Sequence, residues 1–312
     1  MKILELSLRD NHILFVHIPK TAGTSFRKAA EKYFLKENVY YDYGQNSVET
    51  SEIILNKIYK QEDMYALDNY FETKKQIFLS GHFHAAKYGT LFKTVNTIAF
   101  VRNPVEQVIS HYNHHCRYLD YKESLETFVK DKRFKNIQSR ILSGRPIELY
   151  GFIGLTEAYA KSIELINDYY DLNIEVLSEN INEKKELTSK TINEEIRALI
   201  REENQEDILL YSKVENIFQE RVKCYEENKQ YIHVLIQEKT DKKIRGCAFY
   251  KTTDKAINVK IFSNSNLLDV VQTKSFRPGL LHYKLPRKGF VGFDYMLKNS
   301  NEKITHLSAT LL

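Results

Sequence analysis

ILFVHIPKTAGTS, at residues 13–25, is the segment around which the rest of the chain is organised. Its first four residues are apolar, which predicts a buried strand of a parallel sheet. A short loop with one lysine, one glycine and several hydroxyl side chains follows. A helical pattern then begins, because apolar side chains recur at helical spacing from Phe26 to Phe34. Strand, loop and helix in this order predict a site where a helix N-terminus binds an anion such as phosphate.

The loop between the predicted strand and helix carries side chains suited to phosphate binding. Lys20 supplies a mobile positive charge, and Gly23 lets the backbone approach an anion closely. Thr24 and Ser25 supply hydroxyl donors and a helix cap. The loop is not a Walker A motif, because Lys20 precedes the glycine and the chain contains no Gly-Lys-Ser/Thr. An ordinary strand-to-helix turn is the alternative interpretation.

Composition restricts the class of protein. The chain has 312 residues, 42% of them hydrophobic and 28% charged, which is typical of a globular protein with a sizeable core. Its formal net charge of +5 suits an anionic ligand but is too small and too dispersed to indicate a nucleic-acid-binding protein. The three cysteines show neither a metal-ligand spacing nor a disulfide pattern, which favours a reducing compartment. We expect neither a signal peptide nor a membrane span.

A second predicted strand, residues 76–80, leads into Gly81-His82-Phe83-His84. Ligands of open parallel sheets lie beyond the carboxyl ends of the strands, where a histidine can act as a base near neutral pH. The alternative is that the two histidines only cap the end of the strand. For an arbitrary Gly-His-x-His sequence, this structural role is the commoner one. A metal site is weakly indicated, because two histidines at i and i+2 lack further ligands.

A third predicted strand, residues 94–101, delivers Arg102 to the same edge of the sheet. Asn103 as cap and Pro104 at the first helical position predict a helix start. Ser110 lies about two helical turns further on, at 3.6 residues per turn. A guanidinium at the strand end and this hydroxyl could hold one phosphate together. A structural salt bridge is the alternative for Arg102.

These motifs carry a family resemblance. His-x-Pro-Lys-x-x-Gly-Thr-Ser at residues 17–25 resembles the 5′-phosphosulfate loop of sulfotransferases, and residues 100–112 resemble their 3′-phosphate motif. The group that contains heparan sulfate 2-O-sulfotransferases and their bacterial relatives is the most similar. The resemblance spans residues 12–225 and implies an α/β fold, a P-loop-type three-layer sandwich with a central parallel sheet. It also implies that the donor is 3′-phosphoadenosine 5′-phosphosulfate (PAPS), that the product is adenosine 3′,5′-bisphosphate (PAP), and that no metal is required.

The resemblance assigns expected roles to individual residues. It implies His82 as the catalytic base with His84 as second choice, and Lys20 as the group that neutralises the leaving phosphate. The expected donor-binding residues are Lys20, Thr21, Ala22, Gly23, Thr24, Ser25, Arg102 and Ser110. The stretch from Asn136 through Gln138 to Arg140 resembles one that borders the nucleotide and the acceptor. Arg140 could instead form an ion pair with Glu157, and His114 either lines the acceptor cleft or lies on an exposed helix face.

The acceptor and the location follow from the resemblance alone. Relatives sulfate polysaccharide hydroxyls, so we expect a carbohydrate acceptor, namely a polysaccharide or a glycan precursor. A lipid-linked glycan, a protein tyrosine and a small metabolite are the other candidate acceptors. Because related Golgi enzymes carry a membrane anchor and none is expected here, the sequence favours a cytoplasmic, bacterial enzyme. A P-loop kinase of small substrates and an inactive nucleotide- or glycan-binding protein are the alternatives, and the oligomeric state stays open.

The pattern changes near residues 223–242. Alternating apolar residues at 256–262 and 267–271, separated by glycine, proline and asparagine turns, predict a small antiparallel β-sandwich. We therefore expect a sulfotransferase domain over residues 1–230 and an accessory β-sandwich domain over residues 240–312. The latter weakly resembles β-modules of bacterial glycan-modifying enzymes.

Overall fold

A computed structural model describes residues 12–177, 187–188, 191–251, 254–297 and 303–310. The central element is a five-stranded parallel sheet with the strand order β2-β3-β1-β4-β5. Its strands are β1 (Ile13–Val16), β2 (Val39–Asp42), β3 (Phe78–Gly81), β4 (Thr97–Val101) and β5 (Phe152–Leu155). The predicted central parallel sheet is therefore confirmed. The predictions missed edge strand β2, which alternates half-buried and buried residues in a tyrosine-rich region.

Helices cover the sheet and follow its strands. They are α1 (Gly23–Tyr33), α2 (Glu52–Ile54), α3 (Met64–Glu72), α4 (Pro104–Tyr118), α5 (Leu125–Lys130), α6 (Ile137–Leu142), α7 (Tyr159–Tyr170), α8 (Glu194–Glu203) and α9 (Gln205–Glu226). A π-helical turn, Leu55–Lys60, continues α2. Short 3₁₀ turns lie at Lys36–Asn38, Thr94–Asn96, Ile147–Leu149, Thr156–Ala158, Pro278–Tyr283 and Arg287–Gly289.

The starts of two helices test the capping predictions. Helix α4 begins as predicted, with Pro104 in its first turn and the Asn103 side chain accepting a 3.1 Å hydrogen bond from the Val105 N–H. Helix α1 differs, because Ala22 is its N-cap residue and no side chain caps it. The prediction that Thr24 and Ser25 cap this helix was wrong. The backbone turns left-handed at Ala22, so the helix begins at Gly23 and both hydroxyl residues lie inside the first turn.

The core lies on both faces of the central sheet. Strands β1 and β4 are buried along their whole length, as expected for inner parallel strands. Phe15 on β1 packs edge-on against Phe26 of α1, with ring centroids 4.7 Å apart, and it also contacts Phe78 and Phe100 on the flanking strands. Each buried phenylalanine stabilises the fold by about 1.5–3 kcal/mol, so the sheet holds α1 firmly at its carboxyl edge.

Two antiparallel sheets follow α9. One has the order β10-β7-β6 and the other β11-β8-β9. Their strands are β6 (His233–Lys239), β7 (Lys243–Phe249), β8 (Asn258–Ser263), β9 (Asn266–Gln272), β10 (Gly292–Met296) and β11 (His306–Thr310). Buried side chains of both sheets, such as Ile244, Val259 and Phe293, share one core. A second apolar cluster joins Val95 and Leu149 to Leu235, Cys247, Phe249, Leu280, Leu285 and Val291, so the C-terminal sheets pack against the rest of the chain.

Within the described ranges, the search for a helix long and apolar enough to cross a membrane found none.

Candidate active site

The two predicted strand-to-helix junctions lie side by side. Strands β1 and β4 are hydrogen-bonded neighbours and run parallel, so their carboxyl ends meet at one edge of the sheet. At that edge the Arg102 Nη1 atom donates a 3.4 Å hydrogen bond to the Lys20 carbonyl oxygen. The Gln107 Nε2 atom of α4 donates to the Pro19 carbonyl oxygen at 3.1 Å. The loop after β1 and the start of α4 are therefore in direct contact.

The loop after β1 is held in a strained shape. Lys20 and Ala22 both have positive φ angles, 67° and 62°. Non-glycine residues in this region are strained by about 1–3 kcal/mol each, and such strain is common in ligand-binding loops. The buried Thr21 side chain fixes the turn, because its hydroxyl donates to the Ile18 carbonyl oxygen at 3.0 Å. Thr21 therefore turns its side chain into the protein, and only its backbone is suited to a ligand.

The N-terminus of α1 is prepared for a negative charge. Its first turn contains no acidic residue, so no carboxylate there competes with a bound anion for the positive end of the helix dipole. Gly23 is needed for close packing here, since a Cβ atom at this position would lie 2.1 Å from His17 Cδ2. The backbone N–H groups of the first turn lack intrahelical partners by geometry. An anion at this end of the helix would meet these groups directly.

A cavity of about 580 Å³ opens over the two junctions. It brings together most of the residues expected at the site: Lys20, Ala22, Gly23, Thr24, Ser25, His82, Arg102, Ser110 and His114. Ser110 and His114 come from α4, and the rim includes the exposed residues Arg117 and Tyr118.

Three cations give this cavity its electrostatic character. Burial lowers the pKa of Lys20, and the neighbouring Arg102 and Arg117 charges lower it further. Glu106 balances part of this charge, since its carboxylate lies 3.5 Å from Arg102 Nη2. The mutual repulsion of the cations would be relieved by a bound anion, which favours a phosphate-bearing ligand.

His82 follows β3 and its ring is partly open to the cavity. Its Nδ1 atom lies 2.6 Å from the His17 carbonyl oxygen. A carbonyl can only accept, so Nδ1 carries the proton and Nε2 is left with a lone pair. Burial lowers the pKa of His82, against the opposing effect of the bond to His17. His82 is therefore a neutral imidazole near pH 7, the state that a general base requires.

His17 is a site residue to which we assigned no role from the sequence. Its buried ring lies between Gly23 and His82, with the two imidazole centroids 4.5 Å apart, and its Nδ1 atom is 2.9 Å from the Tyr43 hydroxyl. Burial holds the pKa of His17 well below its usual value, and repulsion from His82 whenever that ring is protonated lowers it further. His17 thus stays neutral and positions both the loop and His82. Its position directly after β1 was the one feature of the sequence that indicated a place at the site.

His84 does not line the cavity. Its Nε2 atom lies 2.6 Å from the Ser143 hydroxyl, and its Nδ1 atom accepts a 3.2 Å hydrogen bond from the Ala86 N–H. Because Nδ1 accepts, Nε2 must carry the proton, and neither nitrogen is available as a base in this arrangement. The structure therefore separates the two histidines and favours His82 over His84.

The 136–140 stretch lies behind the cavity instead of lining it. Gln138 accepts from the Arg102 N–H at 2.8 Å and donates to the Arg102 carbonyl oxygen at 2.9 Å, so it fixes the end of β4. Asn136 exchanges hydrogen bonds with Asn204 and Asp207. Arg140 donates to backbone carbonyl oxygens of residues 132, 133 and 135. The stretch thus supports the backbone behind the cavity, and its expected place beside the nucleotide and the acceptor stays a prediction.

Glu157 does not pair with Arg140, which was the other interpretation. Its carboxylate accepts a 2.8 Å hydrogen bond from the Asn103 N–H and a 3.2 Å bond from the Tyr211 hydroxyl. Glu157 therefore braces the junction between β4 and α4.

His114 lies in the cavity wall, where its ring packs 4.9 Å from that of Tyr118. Burial lowers the pKa of His114, with the Lys20 charge as the next contribution. Of its two predicted placements, the structure favours the cleft over a purely exposed face. Among the described residues, no group of three His, Cys, Asp or Glu side chains is arranged to hold a metal ion.

Comparison with known proteins finds one family that matches part of the chain. Residues 7–148 match the sulfotransferase family. No functionally curated protein matches the sequence at a significant level.

Solved structures show looser likenesses. Mouse sulfotransferase SULT7A1 complexed with PAP is 12% identical over 64% of this chain and 66% of its own, with a TM-score of 0.37. A sulfotransferase from Alicyclobacillus acidocaldarius is 15% identical over 66% of this chain and 95% of its own, with a TM-score of 0.36. Retinol dehydratase in complex with androsterone and inactive cofactor PAP is 14% identical over 64% of this chain and 66% of its own, with a TM-score of 0.31. The chain thus spans just under two thirds of the mouse protein, and likenesses this loose assign no residue roles.

Proposed function

We propose that this chain, whose residues 7–148 match the sulfotransferase family, transfers a sulfuryl group from PAPS to a hydroxyl of a carbohydrate acceptor. The observation that carries the proposal is the Arg102–Lys20 hydrogen bond, which joins the two predicted phosphate-binding junctions beside His82 in one cavity. A polysaccharide or glycan precursor is the acceptor that we favour.

The residues present fit this donor. A volume of about 580 Å³ lies within the usual range of small-ligand sites, roughly 300–1,000 Å³. Lys20 and the backbone of residues 21–25 would hold the 5′-phosphosulfate at the start of α1, as a phosphate-binding loop does. Arg102 and Ser110 would hold the 3′-phosphate, the group that distinguishes PAPS from ATP.

When bound, PAPS supplies the sulfuryl group that the acceptor hydroxyl attacks. His82 Nε2 takes the proton of that hydroxyl, and the bond from Nδ1 to the His17 carbonyl oxygen stabilises the resulting imidazolium. Lys20 would neutralise the negative charge that the phosphate of PAP gains as it leaves the sulfuryl group, and such a contact would strengthen as the reaction proceeds. The hydrogen bonds of Thr21 and Gln107 hold the loop in place, so that little reorganisation is needed during the reaction.

The rim of the cavity supports a sugar acceptor. Tyr118 is 62% exposed there. An exposed tyrosine ring beside a cationic cavity can stack on a sugar while the tyrosine hydroxyl stays in water. Arg117, next to it, can pair with a carboxylate or sulfate on an acidic glycan. The net charge of +5 fits the same class of acceptor.

Two measurements test the proposal. PAP without magnesium should raise the melting temperature more than ATP with magnesium, and labelled PAPS should transfer its sulfuryl group to at least one member of a polysaccharide panel. The Lys20→Ala variant is the control for transfer by contaminants. A preference for ATP with magnesium would indicate a kinase, and stabilisation by glycans alone would indicate a binding protein. Either result would refute the proposed activity.

A further inference from the structure

A second, larger cavity lies at the opposite end of the central sheet. Its volume is about 1,320 Å³, and its walls include Asn96 and Phe152, at the amino ends of β4 and β5. The strand rise of about 3.3 Å per residue places it roughly 13–17 Å from the carboxyl edge. Helices α7 and α9 form one side, and residues of the C-terminal part form the other. The cavity is therefore distinct from the one that holds Lys20 and His82.

The wall contains the buried guanidinium of Arg221, which has no carboxylate partner among the residues that the structure describes. Arg221 is 5% exposed, and its Cζ atom lies 3.9 Å from the centroid of the Tyr231 ring. Its Nη2 atom makes one long hydrogen bond, 3.4 Å, to the Tyr150 carbonyl oxygen. Across the part of the chain that the structure describes, Arg221 Nε has no hydrogen-bond partner. The ring faces of Phe152, Tyr169 and Tyr231 stabilise this buried charge in part, and a bound anion would stabilise it further.

Hydrogen bonds and ring contacts connect the residues of the wall around Arg221. The Tyr169 hydroxyl donates to His233 Nε2 at 2.7 Å, since His233 Nδ1 donates to the Glu148 carbonyl oxygen. Lys251 donates to the Tyr169 carbonyl oxygen at 2.9 Å, and its Nζ lies 4.2 Å from the centroid of the Tyr170 ring. The cations are thus held in place before any ligand arrives, which reduces the entropy that a ligand must overcome.

The charge of the wall is mixed, with an excess of cations. Seven lysine and arginine side chains line the cavity against four carboxylates. Lys288 is exposed, and acidic residues such as Asp171 and Glu226 lie in the same wall. Carboxylates would repel the continuous phosphates of a nucleic acid, whereas they accept hydrogen bonds from sugar hydroxyls. Cations together with carboxylates therefore suit a chain that alternates acidic groups and hydroxyls.

We propose that this cavity binds an acidic oligosaccharide segment of the acceptor polymer, away from the sulfuryl-transfer site. The inference rests on the proposed carbohydrate acceptor. Its volume exceeds that of ordinary small-ligand sites, so several sugar units fit. Arg221 pairs with one carboxylate or sulfate, and the surrounding lysines attract its neighbours. Holding the polymer here raises the local concentration of its hydroxyls at His82.

Calorimetric titration with hexagalacturonate tests the binding directly, with PAP present to fill the donor cavity. Maltohexaose is the neutral probe of the same length, and hexauridylate represents RNA. We expect hexagalacturonate to bind best. Arg221→Lys removes the planar guanidinium and should weaken binding about tenfold or more. Lys288→Asn should weaken it about two- to fivefold, and asparagine tolerates the φ of 52° found at this position. Lys36→Asn, an exposed lysine outside both cavities, is the matched control.

Equal hexagalacturonate affinities for the wild type, Arg221→Lys and Lys288→Asn would overturn the site, and so would tighter binding of hexauridylate or maltohexaose. Absence of hexagalacturonate binding to a protein that still binds PAP would also overturn it. Because Arg221 is buried, the affinity of Arg221→Lys is interpreted only if this variant keeps the wild-type melting temperature. If it does not, the affinity of Lys288→Asn provides the test. If sulfation of carbohydrates fails but these affinities behave as expected, the proposed function falls and the glycan site stands.

Discussion

Gly23→Ala is the substitution that tests the packing of the site most directly. A Cβ atom at residue 23 would lie 2.1 Å from Cδ2 and 2.4 Å from Nε2 of His17. His17 is confined on its other sides, because its ring stacks on Phe15 at 5.5 Å and its Nδ1 atom is bonded to the Tyr43 hydroxyl. The added methyl group therefore has to displace either the imidazole or the start of α1.

The size of the effect follows from this geometry. Carbon atoms pack at about 3.5 Å, so the two groups must separate by about 1.4 Å from the 2.1 Å contact. Overpacking of this kind destabilises a core by about 1–3 kcal/mol, which corresponds to a melting temperature lower by roughly 2–10 °C. A shift of about 1 Å in a positioning group can lower turnover about 100-fold. The His17 backbone also holds His82, so both properties should change together.

The assay combines thermal unfolding with the rate of sulfuryl transfer. Gly279→Ala is the matched control, since a Cβ atom there meets nothing within 4 Å. In a His17→Ala background, the same Gly23→Ala change should cost little stability, because the imidazole that it meets is gone. Wild-type stability and activity for Gly23→Ala would refute the reasoning. An equal loss of stability in the two backgrounds would show that the clash with His17 is not the cause.

Three further predictions concern the chemistry. Lys20→Ala should lower kcat about 100- to 1,000-fold while the affinity for PAP changes little, because the Lys20 contact matters most as charge develops; a loss confined to PAP affinity, seen by calorimetry, would contradict this role. Arg102→Ala should reduce PAP affinity about 10- to 150-fold but leave the affinity for adenosine 5′-phosphate nearly unchanged, and equal losses for the two nucleotides would exclude a role in reading the 3′-phosphate. Burial lowers the pKa of His82, so neutral His82 persists below pH 6.5 and kcat/KM for PAPS should fall only at more acidic pH. His82→Ala should abolish sulfuryl transfer and with it the fall in kcat/KM at acidic pH. His84→Ala should retain the transfer and its pH dependence, and the opposite pattern would identify His84 as the base.

Local patterns predicted the inner part of the fold correctly. The apolar runs of β1 and β4 and the Asn103-Pro104 helix start depend on neighbours in the sequence. Edge strand β2 was missed because one side of it is only half buried, so its pattern resembles that of a loop. The capping role expected of Ser25 failed because the left-handed turn at Ala22 moves the helix start.

In the candidate site, too, some features were predictable from the local sequence and others were not. Its cationic residues were recognisable, because Lys20 and Arg102 each follow a buried strand at the carboxyl edge of a parallel sheet. The sequence did not show that His82 faces the cavity while His84 does not. The partner of His84 is Ser143, which lies 59 residues further along the chain. The sequence also did not indicate that the Gln138 side chain hydrogen-bonds to the backbone of Arg102, 36 residues away.

Short-range chemistry therefore accounts for which strands form, where α4 begins and which side chains can bind phosphate. Long-range packing sets which of those side chains share a cavity and which protonation state His82 adopts. The Lys20–Arg102 contact joins residues 82 positions apart, and the His17–His82 bond joins residues 65 positions apart. Neither pairing has a local pattern, because both arise from the order in which parallel strands assemble and from the burial that the assembled sheet imposes.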